Sequence, residues 1–511
     1  MAAALQRDAT VAVIGAGTMG AGIAQVAAQA GHPVRLFDTR IGAADEACES
    51  IAETLSQLVA KGKLAKSDAD GATARLKPIH TLADCVSASL VIEAIVEDLA
   101  AKHDLLRELE LIVSADTILA SNTSSLSITA LAAGLKRPER VVGMHFFNPV
   151  PRMPLVEVVS GLTTDGTVAD TIYALAAAWG KAPVYASSTP GFIVNRCARP
   201  FYGEGLRLLG ERATDAPTLD AVMRDAGGFR MGPFELIDLI GLDVNYAVTR
   251  SVWEAFFHDP RYAPSTIQQE LVAGGFLGRK AGRGFYDYTP GIAHPPPSVE
   301  PPQARPTRVV VRGDLGPAAP LIERLRNAGI SVDEDEADPA FPDGALSVAG
   351  AWLALTDGRT ATARAAASGG LELAVFDLAH DYSRCSRIAA ARADSCSDVA
   401  WSSAAGALQA MGIAVARLDD VAGLVVMRIV SMLANEAAEA VTQHIATARD
   451  VDVAMQLGVN YPRGPLAWAD AIGLARVRAV ISNLAAHYGE DRYRLSPLIA
   501  RRCAGGGRLV D

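Results

Sequence analysis

The sequence predicts an α/β protein: a Rossmann-like, doubly wound domain plus an all-α domain, followed by a degenerate α/β segment and a second copy of the all-α domain. Three observations carry this. Up to about residue 188, short β-branched runs alternate with amphipathic stretches, as in a mainly parallel sheet with helices on both faces. From Pro190 to Phe285 the strand signal fades and long helical spacing replaces it. A proline-rich stretch, Pro290 to Pro306 with PPP at 295–297, then separates two sets of repeating motifs, and reads as a stiff linker. The expected domains are 1–189, 190–289, a linker at 290–307, 308–420 and 421–511.

The strands expected in the first domain are VAVIG (11–15), PVRLFD (33–38), LVIEAI (90–95), TILASN (117–122), VVGMHFF (141–147) and LVEVVS (155–160), with helices over 43–65 and 98–114 between them. At 511 residues, 50% hydrophobic and 20% charged, the chain can bury several cores without disulfides. A net charge of −10 argues against nucleic acid or an acidic membrane surface as partner. The six cysteines stand far apart with no C-x-x-C pair, as expected of reduced thiols. With no basic-then-apolar leader and no apolar stretch near ~20 residues, the expectation is a soluble, cytoplasmic protein without a membrane span.

Gly15-Ala-Gly17-Thr18-Met19-Gly20 is G-x-G-x-x-G directly after a strand and opening a helix. Gly15 permits the tight turn, Gly17 lets backbone approach a pyrophosphate, and Gly20 lets helix and strand pack closely. Asp38 closes the strand that follows this helix, where a carboxylate takes the ribose hydroxyls and repels a 2′-phosphate. NAD is therefore expected over NADP, with Arg40 as the dissonant neighbour.

The helical region is duplicated. Gly191-Phe-Ile-Val-Asn-Arg196 returns as Gly423-Leu-Val-Val-Met-Arg428, and Gly232-Pro-Phe-Glu-Leu-Ile-Asp238 as Gly464-Pro-Leu-Ala-Trp-Ala-Asp470, so the blocks are equally spaced in both copies. Arg261-Tyr262 recurs as Arg492-Tyr493. The first domain is echoed only faintly at 309–332, where Leu315 and Ala318 replace two of the three glycines, so no phosphate-cradling turn is expected there.

Polar residues gather at expected strand ends in Ser121-Asn-Thr-Ser124-Ser125, His145-Phe-Phe-Asn148-Pro149 and Leu-Val-Glu157. In a doubly wound sheet those ends line the ligand crevice. His145 and Glu157 fall on adjacent strands, so a carboxylate can fix one imidazole nitrogen while the other faces a substrate, as a general base requires.

At these residues the chain resembles the L-3-hydroxyacyl-CoA dehydrogenase family, from Thr10 to about Tyr288, in GAGTMGAG, IEAIVED, SNTSSL, HFFNPVP, LVEVV, PGFIVNR and GRKAGRGFYDY. The resemblance implies NAD as cofactor and an acyl-CoA thioester as substrate, with His145 as base, Glu157 as its orienter, and Ser124 and Asn195 on the substrate oxygen. It also implies cofactor contacts at Asp38, Glu97, Lys102, Asn148 and Lys280. Ser56 and Lys63 correspond to CoA contacts, a solvated helix end being the other reading of that basic stretch. Because Asn195 opens the helical region, the expected site is completed by closure of two domains. Association through helical domains is implied too, and the duplicated copy is expected to supply it within one chain.

Met427 stands at the position of Asn195 in the second copy, and 309–420 contains no H-x-F-N-P, so the second half is expected to be catalytically silent. Duplicated chains of this size resemble 3-hydroxyadipyl-CoA dehydrogenases of phenylacetate breakdown and 3-hydroxybutyryl-CoA dehydrogenases; the first is the favoured expectation. Arg152, Arg196 and Arg199 are candidates for a distal substrate carboxylate, with ordinary salt-bridge roles preferred for each. The rivals are a non-catalytic NAD- or CoA-binding protein and a dehydrogenase of free 3-hydroxyacids.

Overall fold

The structure, a computed structural model, describes residues 3–510. The chain divides into two compact units, 1–196 with 443–459, and 197–442 with 460–511.

The first unit is built on eight strands: β1 (Thr10–Ile14), β2 (Val34–Phe37), β3 (Leu76–Pro78), β4 (Ala88–Glu93), β5 (Ile118–Ser121), β6 (Val141–Phe146), β7 (Leu155–Ser160) and β8 (Ala182–Ser187). Their order is β3-β2-β1-β4-β5-β6-β7-β8, and every pairing is parallel except β6 with β7. The central strands read as near-continuous apolar runs because helices cover both faces. On one face Val13, Leu36, Ile92, Met144, Phe146, Val156 and Val158 join a single core. The pleat turns the residues between them to the other side. β3 and β8 were not expected; β3 has three residues and β8 carries Pro183 and Tyr185, so neither shows the hydrophobic run that marks a central strand. The first long helix, Ala43–Ala60, ends sooner than its spacing suggested, because Gly62 turns to φ +66.

This unit also holds a piece of the second helical copy. The helix Ala448–Gly458 packs on β7 and β8, and Ser187 N–H at the end of β8 donates to Ile445 O at 2.8 Å. Gly458 has no room for a side chain: a Cβ there would sit 2.6 Å from Leu155 Cδ2 and 3.0 Å from Val194 Cγ2.

The second unit mirrors the exchange. Its sheet contains β9 (Arg308–Arg312), β10 (Ser331–Asp335), β11 (Ala345–Val348), β12 (Ala351–Leu355), β13 (Leu373–Phe376), β14 (Arg387–Arg392) and β15 (Ala414–Arg417) in the order β10-β9-β11-β12-β13-β14-β15. The helix Ala216–Asp225 of the first helical copy packs on β14, and Asp419 N–H donates to Ala213 O at 2.9 Å. Positions 187 and 419, like 213 and 445, are separated by the same sequence offset as the repeated blocks at 191 and 423.

The second sheet is a reduced copy. β14 follows β7 at this repeat offset, whereas Gly313 follows Gly15 at a larger one, so the middle of the copy has been shortened. In place of the lost segment Ala349 and Gly350, at φ +48 and +88, turn β11 tightly back into β12, the geometry of a two-residue hairpin. β11 consequently runs antiparallel to both neighbours.

The two helical copies interlock through crossed ion pairs. Arg261 and Tyr262 of the first bind Glu436 of the second, while Arg492 and Tyr493 of the second bind Glu204 of the first. Glu204 and Glu436 again correspond at the repeat offset. The linker is less independent than its prolines suggested. Glu300 N–H donates to Val415 O, its carboxylate accepts from Trp401 Nε1, and Gln409 Nε2 donates to its carbonyl.

Candidate active site

The glycine-rich turn has the shape a dinucleotide needs. Gly15, at φ +105, has Ala94 O only 2.5 Å from where a Cβ would stand, and a Cβ on Gly20 would fall 1.8 Å from Gly15 O. Gly17, the N-cap of helix Thr18–Ala30, faces open space and makes no side-chain cap. Two glycines are thus demanded by packing, and the third leaves an uncovered helix N-terminus for an anion. Thr18 is exposed and Met19 half-buried beside it. Asp38 accepts from Ala16 N–H at 2.8 Å and Arg40 N–H at 2.9 Å, which ties the acidic strand end to the glycine turn. Arg40 is neutralised by Glu46 at 3.1 Å. The residues present fit NAD.

His145 and Glu157 are register partners in the antiparallel pair β6–β7, on the face opposite the apolar core. His145 Nδ1 meets Glu157 Oε2 at 2.6 Å; the residues are 6% and 0% exposed. Glu157 Oε1 accepts from Ile193 N–H at 3.1 Å and Val194 N–H at 2.9 Å. A carboxylate held by two backbone donors cannot swing, so the imidazole it grips has a fixed plane and tautomer, with Nδ1–H donating and Nε2 left as a base. Phe147 and Phe192 flank the ring at 4.5 and 5.9 Å between centroids.

Asn195 lies in the same compact unit as His145, just before the division, and its Nδ2 donates to Ser124 O at 3.4 Å. Ser124, His145, Glu157 and Asn195 therefore share one compact unit. Glu97 Oε1 accepts from Thr123 Oγ1 and from the Ser124 and Ser125 N–H groups at 2.6, 2.9 and 3.2 Å. Burial would raise the Glu97 carboxyl, but these hydrogen bonds and the Lys102 ammonium outweigh it and hold it below the usual range. Lys102, 1% exposed, is turned inward to Glu93 and Glu97, so its ammonium supports this loop from within.

Some organisers were not found by sequence reasoning. Asn122 Oδ1 accepts from Phe146 N–H at 2.8 Å, locking the end of β5 to the end of β6. Glu93 receives Ser121 Oγ at 2.6 Å as well as Lys102. An acid closing the apolar run LVIE was the available signal. Asn148 precedes a cis proline. Ser56 and Lys63 are exposed, at the helix Ala43–Ala60 and just past it. Lys280 belongs to the second unit, paired with Asp243. Arg152 is exposed; Arg196 is buried and donates to Gln443 Oε1, and Arg199 donates to Thr249 Oγ1.

The second copy replaces the dyad with a single acid. At the repeat offset His145 becomes Asp377, Glu157 becomes Ala389 and Asn195 becomes Met427. Asp377 N–H still pairs with Ala389 O, but the Asp377 carboxylate itself now accepts from Val425, Val426 and Met427 N–H at 3.0, 2.7 and 2.9 Å. It therefore performs the anchoring task of Glu157 from the histidine's position. Burial raises its pKa to about 6 despite those donors. Among the described residues no group of three metal-ligating side chains occurs, and no helix is long and apolar enough to cross a membrane.

Profiles of the 3-hydroxyacyl-CoA dehydrogenase NAD-binding domain match residues 10–189, and those of the C-terminal domain match 191–288 and 423–508. The 3-hydroxybutyryl-CoA dehydrogenase reduced Rossmann-fold domain matches 353–421. The chain is 42% identical over 497 residues to a 3-hydroxyadipyl-CoA dehydrogenase of Escherichia coli (strain K12), covering 96% of this chain and 97% of that one. A 3-hydroxybutyryl-CoA dehydrogenase of Clostridioides difficile is 41% identical over 278 residues, 54% of this chain and 99% of its own. Among solved structures, a 3-hydroxybutyryl-CoA dehydrogenase from Escherichia coli K12 superposes with a TM-score of 0.89 at 41% identity, covering 98% of this chain and 99% of that one. With a cradle for NAD, a carboxylate-held histidine and matches across both copies, the chain belongs to the 3-hydroxyacyl-CoA dehydrogenase family as an NAD-dependent enzyme with a duplicated C-terminal region.

Proposed function

We propose that the substrate is 3-hydroxyadipyl-CoA, oxidised to the 3-ketoacyl thioester in the cytoplasm as a step of phenylacetate or other aromatic catabolism. The observation carrying this reading is the 42% identity to a 3-hydroxyadipyl-CoA dehydrogenase over nearly the whole of both chains. The second reading, 3-hydroxybutyryl-CoA, is favoured by the superposition with an enzyme of that name.

The same chemistry serves both. His145 Nε2 takes the proton of the C3 hydroxyl while Glu157 stabilises the imidazolium through Nδ1–H. Bound NAD supplies the acceptor for the hydride that leaves C3. Ser124 and Asn195 hold the substrate oxygen, a type of contact worth ~2–4 kcal/mol per donor where charge develops. Gly15, Gly17, Gly20 and Asp38 hold the dinucleotide, with Glu97 and Asn148 as further contacts and Lys102 supporting Glu97 from within, and Ser56 and Lys63 meet CoA. The second helical copy supplies within one chain the association that single-copy relatives make between subunits.

NADH formation with 3-hydroxyadipyl-CoA, 3-hydroxybutyryl-CoA and free 3-hydroxyacids tests the reading. We expect the highest kcat/KM with the dicarboxylic thioester. Preference for the C4 substrate selects the second reading, and no turnover with any thioester leaves an NAD- or CoA-binding role. His145→Gln should lower kcat by about 10²–10⁴-fold with NADH binding retained.

A further inference from the structure

Within the second unit, which contains neither the glycine turn nor the His145–Glu157 pair, a cavity of about 270 Å³ opens among the helices. Four arginines, Arg199, Arg207, Arg261 and Arg492, line it, and no carboxylate does. It also reaches Ser265, the N-cap of the eight-residue helix Thr266–Ala273, which makes no side-chain cap hydrogen bond.

Arg199 donates to Thr249 Oγ1, which lines the cavity, and the other three guanidiniums are anchored by groups that do not. Arg261 donates to Glu436 and to Arg494 O, Arg492 to Glu204 and Pro260 O, and Arg207 to Glu490. Yet Nε of Arg261, a residue 3% exposed, is buried with no hydrogen-bond acceptor, whereas Nε of Arg207 stands 3.9 Å from Glu211 Oε1. Arg492 turns Nη2 to within 2.5 Å of where a Cβ on Gly203 would stand. Fixed guanidinium edges, an open helix N-terminus and no lining acid make a preorganised receptor for a compact anion.

The duplicated copy provides an internal comparison. At the repeat offset Gly203 corresponds to Asn435, whose Oδ1 accepts from Ser496 N–H at 2.8 Å and whose Nδ2 donates to Arg494 O at 2.9 Å. Ser496 is the counterpart of Ser265 in the turn after the Arg-Tyr pair. Thr249, which also lines the cavity, corresponds to Ile481. The second copy thus has an amide and an isoleucine where the first has a glycine, against which the Arg492 guanidinium packs, and Thr249.

We infer that this cavity is a binding site for a phosphate-class dianion, either inorganic phosphate or the head of a small phosphomonoester. Its volume exceeds the ~150 Å³ of a benzene-sized cavity, which admits the tetrahedral group with a short substituent. The Ser265 hydroxyl, which makes no cap hydrogen bond, complements the arginines as a donor to a peripheral oxygen, while Thr249 Oγ1 donates to Asn245 O and accepts from Arg199 Nη1, both at 2.9 Å, and so holds that guanidinium in place.

Titration calorimetry of the full chain saturated with NADH, at constant ionic strength, tests this with inorganic phosphate, glycerol 3-phosphate and succinate. Saturable binding of at least one phosphate probe is expected, weakened tenfold or more in Gly203→Asn and in Thr249→Ile, each of which copies the filled counterpart. Both variants should retain NADH-linked activity, which also shows that they fold. Tighter binding of the ester identifies a phosphorylated metabolite as the source; a preference for phosphate identifies the free ion. Phosphate binding equal in wild type and both variants, succinate binding as well as phosphate, or no phosphate heat at all would overturn the site.

Discussion

Glu157 uses its two oxygens for different tasks. Oε1 is held by Ile193 and Val194 N–H, and Oε2 holds His145. In Glu157→Gln the backbone donors select the amide oxygen, so the amide NH₂ faces His145 Nδ1. The imidazole must then accept there and carry its hydrogen on Nε2, the wrong tautomer for a base. The expected result is a fall in kcat of about 10²–10⁴-fold with an unchanged NADH affinity, read by steady-state kinetics and fluorescence titration; near-normal kcat would refute the assignment. Asp377 gives a pH test. Its folded pKa, pushed by burial to about 6, lies above its unfolded value, so the folded state binds the proton more tightly. That stabilisation is complete below pH ~4 and is lost as pH rises through about 6. Measured against Asp377→Asn, the wild type should lose on the order of 1–3 kcal/mol of relative stability between about pH 4.5 and 7.5; a difference growing with pH contradicts this. The glycine turn, His145 and Glu157 were legible because each is a spaced motif or a polar residue set in or beside an apolar strand run. Asn122 and Glu93 were not, since Phe146 N–H and Ser121 Oγ reach them from strands adjacent only in space, and the inward turn of Lys102 was not, since nothing in the spacing of its helix marks a lysine as buried.

At the scale of elements, the strands covered on both faces were readable as apolar runs, whereas edge strands and the reduced sheet were not. β11 and β12 are too short and too rich in alanine to stand out, and their pairing follows from a deletion that only comparison of the two copies reveals. The helix Ala448–Gly458 carries the most informative contact. Its Gly458 abuts Leu155 and Val194, on either side of the carboxylate that fixes His145. Gly458→Val should press on Val194 and disturb its N–H bond to Glu157. We expect a stability loss of about 1–3 kcal/mol, as in other overpacked cores, and a several-fold lower kcat at unchanged NADH affinity. Thermal denaturation and kinetics check both; loss of stability with normal kcat would make the glycine a packing residue alone.

For the whole molecule, one repeat offset, shorter by a single residue at the Arg-Tyr pair, orders the crossed ion pairs, the exchanged helices and the strand-end hydrogen bonds. A fragment spanning 1–290 lacks Gln443–Val459, which completes the first unit, and leaves Ser187 N–H without Ile445 O. It should self-associate, another copy's Ala216–Asp225 taking the place of the absent helix, or aggregate. Sedimentation of the fragment decides this, and a fully active monomer would be the contrary result. The exchange also has an evolutionary consequence. In two identical chains every mutation appears on both sides of the twofold axis and must be tolerated there. Here each half has its own codons, so a histidine became an aspartate on one side and a glycine faces an asparagine on the other, without either change being copied across. The second half has Asp377, Ala389 and Met427 where the first has His145, Glu157 and Asn195, yet it keeps the helix that completes the first unit.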